Sequence, residues 1–114
     1  MKKLALLLVI ALGCMAFTHQ LLNLKLHVTV VDGQGEIVEG AKVVLYNTDG
    51  DHTKEANALQ VGETNAKGVC VFKKLDVKKY YLFAQKGDLD NTLGDHETDT
   101  MHKGKINKIT LTIE

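Results

Sequence analysis

The sequence predicts an all-β sandwich that follows a short export signal. Runs of alternating apolar and polar residues recur along the chain, glycine turns separate them, and no segment after the leader shows a helical period. Six or seven short strands of this kind form either a two-sheet sandwich or a barrel.

The N-terminus has the features of a signal peptide. Two lysines precede the apolar run 4–12, and small residues follow it. The run is too short to cross a bilayer, which takes about 20 apolar residues. The predicted organisation is therefore a signal peptide over residues 1–16, cleaved before Cys14 or after Ala16, and one sandwich domain over residues 21–114.

Cys14 leaves two alternatives for the end of the leader. The sequence Ala-Leu-Gly-Cys that ends at Cys14 resembles a bacterial lipobox, in which the cysteine is acylated and becomes the mature N-terminus. Acyl chains would anchor the protein to a membrane, whereas ordinary cleavage after Ala16 would release it. The short apolar run and the cysteine at its exit favour lipidation of Cys14. The predicted location is the cell envelope if the chain is lipid-anchored, and the periplasm or the exterior if it is not.

The strands are predicted one after another from their alternation. They cover residues 24–31, 41–46, 59–64, 69–75, 80–84 and 108–113. The side chains expected to face the core are Leu24, Leu26, Val28, Val30, Ala41, Val43, Leu45, Cys70, Phe72, Tyr80, Leu82 and Ala84. The polar segments 47–58 and 87–104 are expected to be long exposed connections.

Composition narrows the function. The 14 basic residues are all lysines, and the loss of Lys2 and Lys3 with the leader leaves 12 against 14 acidic residues. A nearly neutral surface without arginine lacks the usual attraction for phosphate, so no nucleic acid is expected among the partners. The chain contains no serine, which excludes a serine nucleophile.

The strand and turn residues together resemble those of carboxypeptidase-regulatory-like and Cna-B-type domains. The resemblance covers about residues 24–86 and is carried by Val28-Thr29-Val30-Val31-Asp32, Gly33, Val38, Gly40-Ala41, Val43, Leu45, Thr64, Gly68, Phe72, Leu75, Tyr80 and Ala84. It implies a seven-stranded, prealbumin-like (transthyretin-like) Greek-key β-sandwich. It also implies a non-catalytic module that is adhesive, stalk-like or partner-binding. We expect a protein or cell-surface partner, no cofactor, and membrane contact only through an N-terminal lipid anchor, if Cys14 is acylated.

A possible interaction surface follows from the second face of two strands. Val44, Tyr46, Tyr81 and Phe83 point away from the predicted core. If their strands are neighbours, these side chains form one apolar patch of the kind that marks interaction surfaces. The alternative is that a loop, residues 87–104, folds over them and makes a second core.

The loop after the fifth strand offers an alternative function, a small periplasmic metal- or ligand-binding protein that uses residues 95–102. Its side chains that can bind metals are Asp95, His96, Glu97, Asp99 and His102. Their spacing matches no closed metal motif, and a solvated polar loop is the other interpretation.

Three further candidates are weak. Cys70 shares a strand face with Phe72, so a buried, unreactive thiol is expected rather than a nucleophile.

An enzyme on this fold would need His27 and His102 as acid and base. In some Cna-B-type domains a lysine and an asparagine crosslink; Lys25 and Asn107 are the candidates here, but Lys25 is expected to point away from the core.

Overall fold

Two β-sheets face each other across an apolar core in the computed structural model, which describes residues 23–114. The elements in chain order are β1 Leu24–Asp32, β2 Lys42–Tyr46, α1 Asp49–Lys54, β3 Gln60–Glu63, β4 Val69–Leu75, β5 Tyr81–Lys86, β6 Leu89–Asp90 and β7 Asn107–Ile113. The predicted signal peptide and Cys14 lie outside the described residues.

The strands are divided between a three-stranded and a four-stranded sheet. The first sheet has the order β4-β1-β7, in which β1 is antiparallel to β4 and parallel to β7. The second has the order β3-β2-β5-β6 and is antiparallel throughout. The chain changes sheet after β1, β3, β4 and β6, so sequence neighbours are often not spatial neighbours. The predicted seven-stranded sandwich is confirmed.

Strand alternation builds the core as the sequence predicts. Apolar side chains at every second position of β1, β2, β4, β5 and β7 are buried between the sheets. The largest fully buried strand residues are Leu26, Leu45, Leu75, Leu82, Leu111 and Ile113. Met101, from the segment before β7, is buried with them. Burial of each such side chain contributes about 2 kcal/mol. Leu24, at the start of β1, is only partly buried against this core.

The turn before β4 requires glycine. Gly68 has φ +74°, and a Cβ there would lie 2.9 Å from the Cβ of Ile37. The carboxamide oxygen of Asn65 accepts hydrogen bonds from the backbone N–H groups of Lys67 and Val69 and so closes the same turn.

A short helix occupies part of the segment that was expected to be an exposed connection. α1 begins after Thr48, whose hydroxyl accepts a hydrogen bond from the Asp51 N–H. It ends at Lys54 and is capped by Glu55, which has a left-handed φ of 52°. A helix of six residues is unstable alone. Its contacts with β2 and β5 therefore hold it in place. None of the described helices is long and apolar enough to cross a membrane.

Candidate functional site

The outer face of the second sheet is apolar, and cross-strand pairs organise it. Val44 lies between Val61 on β3 and Phe83 on β5, and Tyr46 lies opposite Tyr81. Directly opposite side chains share one face of a sheet and contact each other. The strands that carry the four predicted surface residues are therefore neighbours, which is the condition for one shared patch.

These four residues are not equally accessible. Val44 is 6% exposed and Tyr46 4% exposed, whereas Tyr81 and Phe83 are half-buried. The exposure expected for Val44 and Tyr46 is not found, because flanking strands and α1 cover them. The structure agrees better with the alternative, a second core on the outer face of this sheet. The helix α1 covers part of that face, whereas the sequence predicts cover from the loop alone.

Asn91 holds the loop after β6 against β5. Its carboxamide oxygen accepts the Ala84 N–H at 2.9 Å, and its NH₂ group donates to the carbonyl oxygens of Leu82 at 3.2 Å and Asp95 at 3.0 Å. The side chain is 1% exposed. A buried amide with its hydrogen bonds satisfied fixes a single loop conformation.

Further bonds continue this attachment along β5. The Leu82 N–H donates to the His96 carbonyl oxygen at 2.7 Å, and the Thr98 N–H donates to the Tyr80 carbonyl oxygen at 2.9 Å. The Thr98 hydroxyl accepts from the Tyr80 N–H at 2.9 Å. As a result, the backbone of His96 has a fixed position beside the sheet.

A cleft of about 330 Å³ opens between α1 and this loop. Its walls are Asp49, His52, Thr53, Glu55, Phe83, Asn91, Thr92 and His96. Two of these carry carboxylates, and no lysine is among the described residues that line the cleft. The arrangement favours a cation over an anion.

Asp49, His52 and His96 come together at this cleft. One possible ligand atom from each lies within 4.8 Å of the others. The two imidazoles stack, with centroids 4.7 Å apart and planes 14° apart. His52 also meets the ring of Tyr46 edge to face, at 5.6 Å between centroids.

A hydrogen bond fixes the tautomer of His52. Its Nε2 lies 3.0 Å from the carbonyl oxygen of Leu82, which can only accept. Nε2 therefore carries the hydrogen, and in the neutral ring Nδ1 has the free lone pair. The cleft thus offers imidazole nitrogen and carboxylate oxygen, the donors that divalent transition metals prefer.

The five loop residues predicted as metal ligands do not assemble together. Within the described residues, one group of three side chains could hold a metal ion, and His96 is its only member from the predicted five. Asp95, Glu97 and Asp99 border a second hollow, which is also lined by His96 and Lys79. The Lys79 ammonium lies 3.2 Å from the Glu97 carboxylate. The side chain of His102 is exposed, and the backbone N–H of His102 donates to the Asn107 carboxamide oxygen at 2.8 Å.

The structure also locates the residues considered for a reactive thiol, for acid–base catalysis and for a lysine–asparagine crosslink. Cys70 is 5% exposed, and burial raises the pKa of its thiol despite a hydrogen bond to the backbone of Glu63. A buried thiol of this kind is a poor nucleophile. His27 and His102 border different hollows. Lys25 is exposed, while the Asn107 amide is buried and bonded to the backbone of His102.

Two members of the cluster were missed because their segment was interpreted as a loop. Asp49 and His52 are three residues apart, a spacing that places side chains on one helix face. Thr48 before them is a helix N-cap signal. These two signals together could have indicated a helical carboxylate–imidazole pair.

The paired sheets define a prealbumin-like sandwich domain. No protein-family model matches the chain, and no curated protein matches its sequence. Among solved structures, the Bacillus anthracis TIE protein is similar to 82% of this chain, with 19% identity and a TM-score of 0.57. BcpA, the major pilin subunit of Bacillus cereus, is similar to 81% of it, with 16% identity and a TM-score of 0.52.

The chain spans only part of these proteins, 16% of the length of the TIE protein and 30% of that of BcpA. The likeness shows a shared fold. It confirms the predicted two-sheet β-sandwich, the fold that the resemblance to Cna-B-type domains implies.

Proposed function

We propose that the chain is an exported, non-catalytic module of the cell envelope that binds a protein or surface partner. The observation that carries the proposal is the fold, which is shared with a part of a pilin subunit. The lack of serine in the chain and the burial of Cys70 also support a non-catalytic role.

The surface proposed for binding is the part of the outer apolar face of the second sheet that solvent can reach. Val61 is 59% exposed at the β3 edge, and Tyr81 and Phe83 are half-buried on β5. The buried side chains of Val44 and Tyr46 pack beside these residues. An apolar, partly aromatic area of this kind is typical of the centre of a protein interface.

Replacement of Val61 by lysine tests the binding role. A charge on this exposed position should leave the domain folded and reduce its recovery in crosslinked complexes on cells by about tenfold, because an interface centre excludes unpaired charge. Ile106→Lys is the matched control, since Ile106 is 70% exposed and its segment leads into β7 of the other sheet. Undiminished complexes with Val61→Lys would contradict the proposal.

We further propose that Cys14 is acylated and anchors the module. Cys14→Ala should move the protein from the membrane fraction to the soluble fraction and remove incorporation of a labelled fatty acid, because a diacyl anchor binds membranes stably. Cys70→Ala is the control, since that thiol is buried in the domain. Unchanged fractionation and labelling of Cys14→Ala would contradict acylation.

A further inference from the structure

We propose that Asp49, His52 and His96 form a binding site for a divalent transition-metal ion of the zinc class. The proposal is independent of the partner-binding role, since it rests on three side chains whose possible ligand atoms lie within 4.8 Å of one another. Two imidazole nitrogens and one carboxylate oxygen form a donor set that suits zinc, copper(II) and nickel(II), whereas calcium and magnesium take oxygen ligands.

His52 is oriented as metal-binding histidines commonly are. Its Nε2–H donates to the Leu82 carbonyl oxygen at 3.0 Å, and this leaves Nδ1 as the free donor. The same carbonyl accepts from buried Asn91, which fixes its position. A ligand histidine usually gives its second N–H to a carbonyl or carboxylate, which sets the ring orientation and raises ligand basicity.

His96 reaches the same point from a different part of the chain. Its carbonyl oxygen accepts the Leu82 N–H at 2.7 Å, so the residue is attached to β5 at the position that also holds His52. The two rings stack with 4.7 Å between centroids. Leu82 therefore binds both histidines through its backbone, one through its carbonyl oxygen and one through its N–H.

Asp49 completes the set with a negative charge. It is the first residue of α1, and its exposed carboxylate can rotate toward the imidazoles. Glu55 adds a second carboxylate to the cleft wall. Since no lysine is among the described residues that line the cleft, a divalent cation meets no positive side chain there.

The geometry requires a small adjustment. Tetrahedral zinc with nitrogen ligands at about 2.05 Å keeps its donors about 3.3 Å apart. Donor atoms up to 4.8 Å apart must approach each other by up to about 1.5 Å to reach this separation, and side-chain rotations in an open cleft allow that movement. Three protein ligands leave a fourth position for water or for a donor from another molecule, so the site should bind its ion reversibly.

The test is titration of the purified, metal-free full-length protein with zinc, followed by calorimetry and by thermal unfolding. We expect one zinc per chain, a rise in Tm with zinc, and no competition from excess magnesium or calcium. His96→Ala should weaken binding at least tenfold and Asp49→Asn several-fold.

His102→Ala is the matched control, since His102 is exposed and outside the cluster. It should keep the zinc affinity and the zinc-dependent rise in Tm. The proposal is overturned if zinc does not bind at millimolar concentration, or if His102→Ala loses as much affinity as His96→Ala. His52→Ala also removes the bond to Leu82, so a folding defect in that variant would not affect a conclusion drawn from His96→Ala.

Discussion

At Gly62 the two sheets meet without room for a side chain. A Cβ there would lie 2.5 Å from Cys70 Sγ and 3.5 Å from Phe72 Cε1 across the core. Gly62 has no positive φ, so space rather than backbone conformation determines the residue. The strand pattern identifies Cys70 and Phe72 as core residues, but it cannot show which residue of the opposite sheet faces them.

Gly62→Ala should therefore destabilise the domain by about 2 kcal/mol through overpacking, measured by urea unfolding. Gly94→Ala should be nearly neutral, because a Cβ there meets nothing closer than 3.7 Å. In the double variant Gly62→Ala with Cys70→Ala the clash with sulfur is gone, so the two costs should not add. If the two free-energy costs were strictly additive, the contact with the Cys70 sulfur would not be what excludes a side chain at position 62.

At the scale of elements, the loop after β6 depends on one buried amide. Asn91→Leu should cost about 3 kcal/mol, since it leaves the Ala84 N–H and the Asp95 carbonyl oxygen without their partner. Hydrogen exchange at the Ala84 N–H should become faster by at least tenfold. Leu93→Ala is the control in the same loop, because Leu93 is 83% exposed. Equal exchange in both variants would mean that Asn91 does not hold the loop.

The strands could be predicted from their apolar pattern, whereas the helix has no such pattern, for a physical reason. Residues such as Leu26, Val28 and Leu111 alternate with polar neighbours, and this two-residue period encodes burial locally. α1 has no buried residue and only six positions, so it carries no apolar stripe. Its stability comes from tertiary contacts, which no local pattern reports.

The same reasoning explains the candidate site. His96 was identified among possible ligands, but its partners Asp49 and His52 lie more than 40 positions away in sequence. They meet because β2 and β5 are neighbours in the second sheet, with α1 after one and the loop beside the other. Strand order is the information that the sequence pattern lacks.

At the scale of the whole molecule, the two sheets have different surroundings. The second sheet bears α1, the loop and the cleft on its outer face, while Val71 on the first sheet is exposed to solvent. Both sheets share one core, so a change of core charge affects the entire domain. Cys70 and Tyr80 are the buried titratable groups of that core.

Stability should decrease at alkaline pH. Burial raises the pKa of Cys70, and it raises the pKa of Tyr80 although the Asp76 N–H bonds to the phenol oxygen. Burial and the nearby Glu55 also raise the pKa of Tyr46. For a group whose pKa is raised by folding, the stabilisation is complete below its unfolded pKa and is lost as pH rises through the folded value. Unfolded cysteine and tyrosine titrate near about 8.5 and 10, so the free energy of unfolding should be flat from pH 7 to 8 and fall above about pH 9.

The slope of the free energy of unfolding against pH separates the contributions of the individual titratable groups. Each proton lost on unfolding adds up to about 1.4 kcal/mol per pH unit. In Cys70→Ala the decline should begin about one pH unit higher, because the raised pKa values that remain among the described residues are those of Tyr46, Tyr80 and Lys79, which lies beside Glu97. Urea unfolding at pH steps from 7 to 11 measures both curves, and refolding after return to pH 7 excludes chemical damage. A flat profile for the native protein, or the same onset for Cys70→Ala, would show that these buried groups do not control alkaline stability.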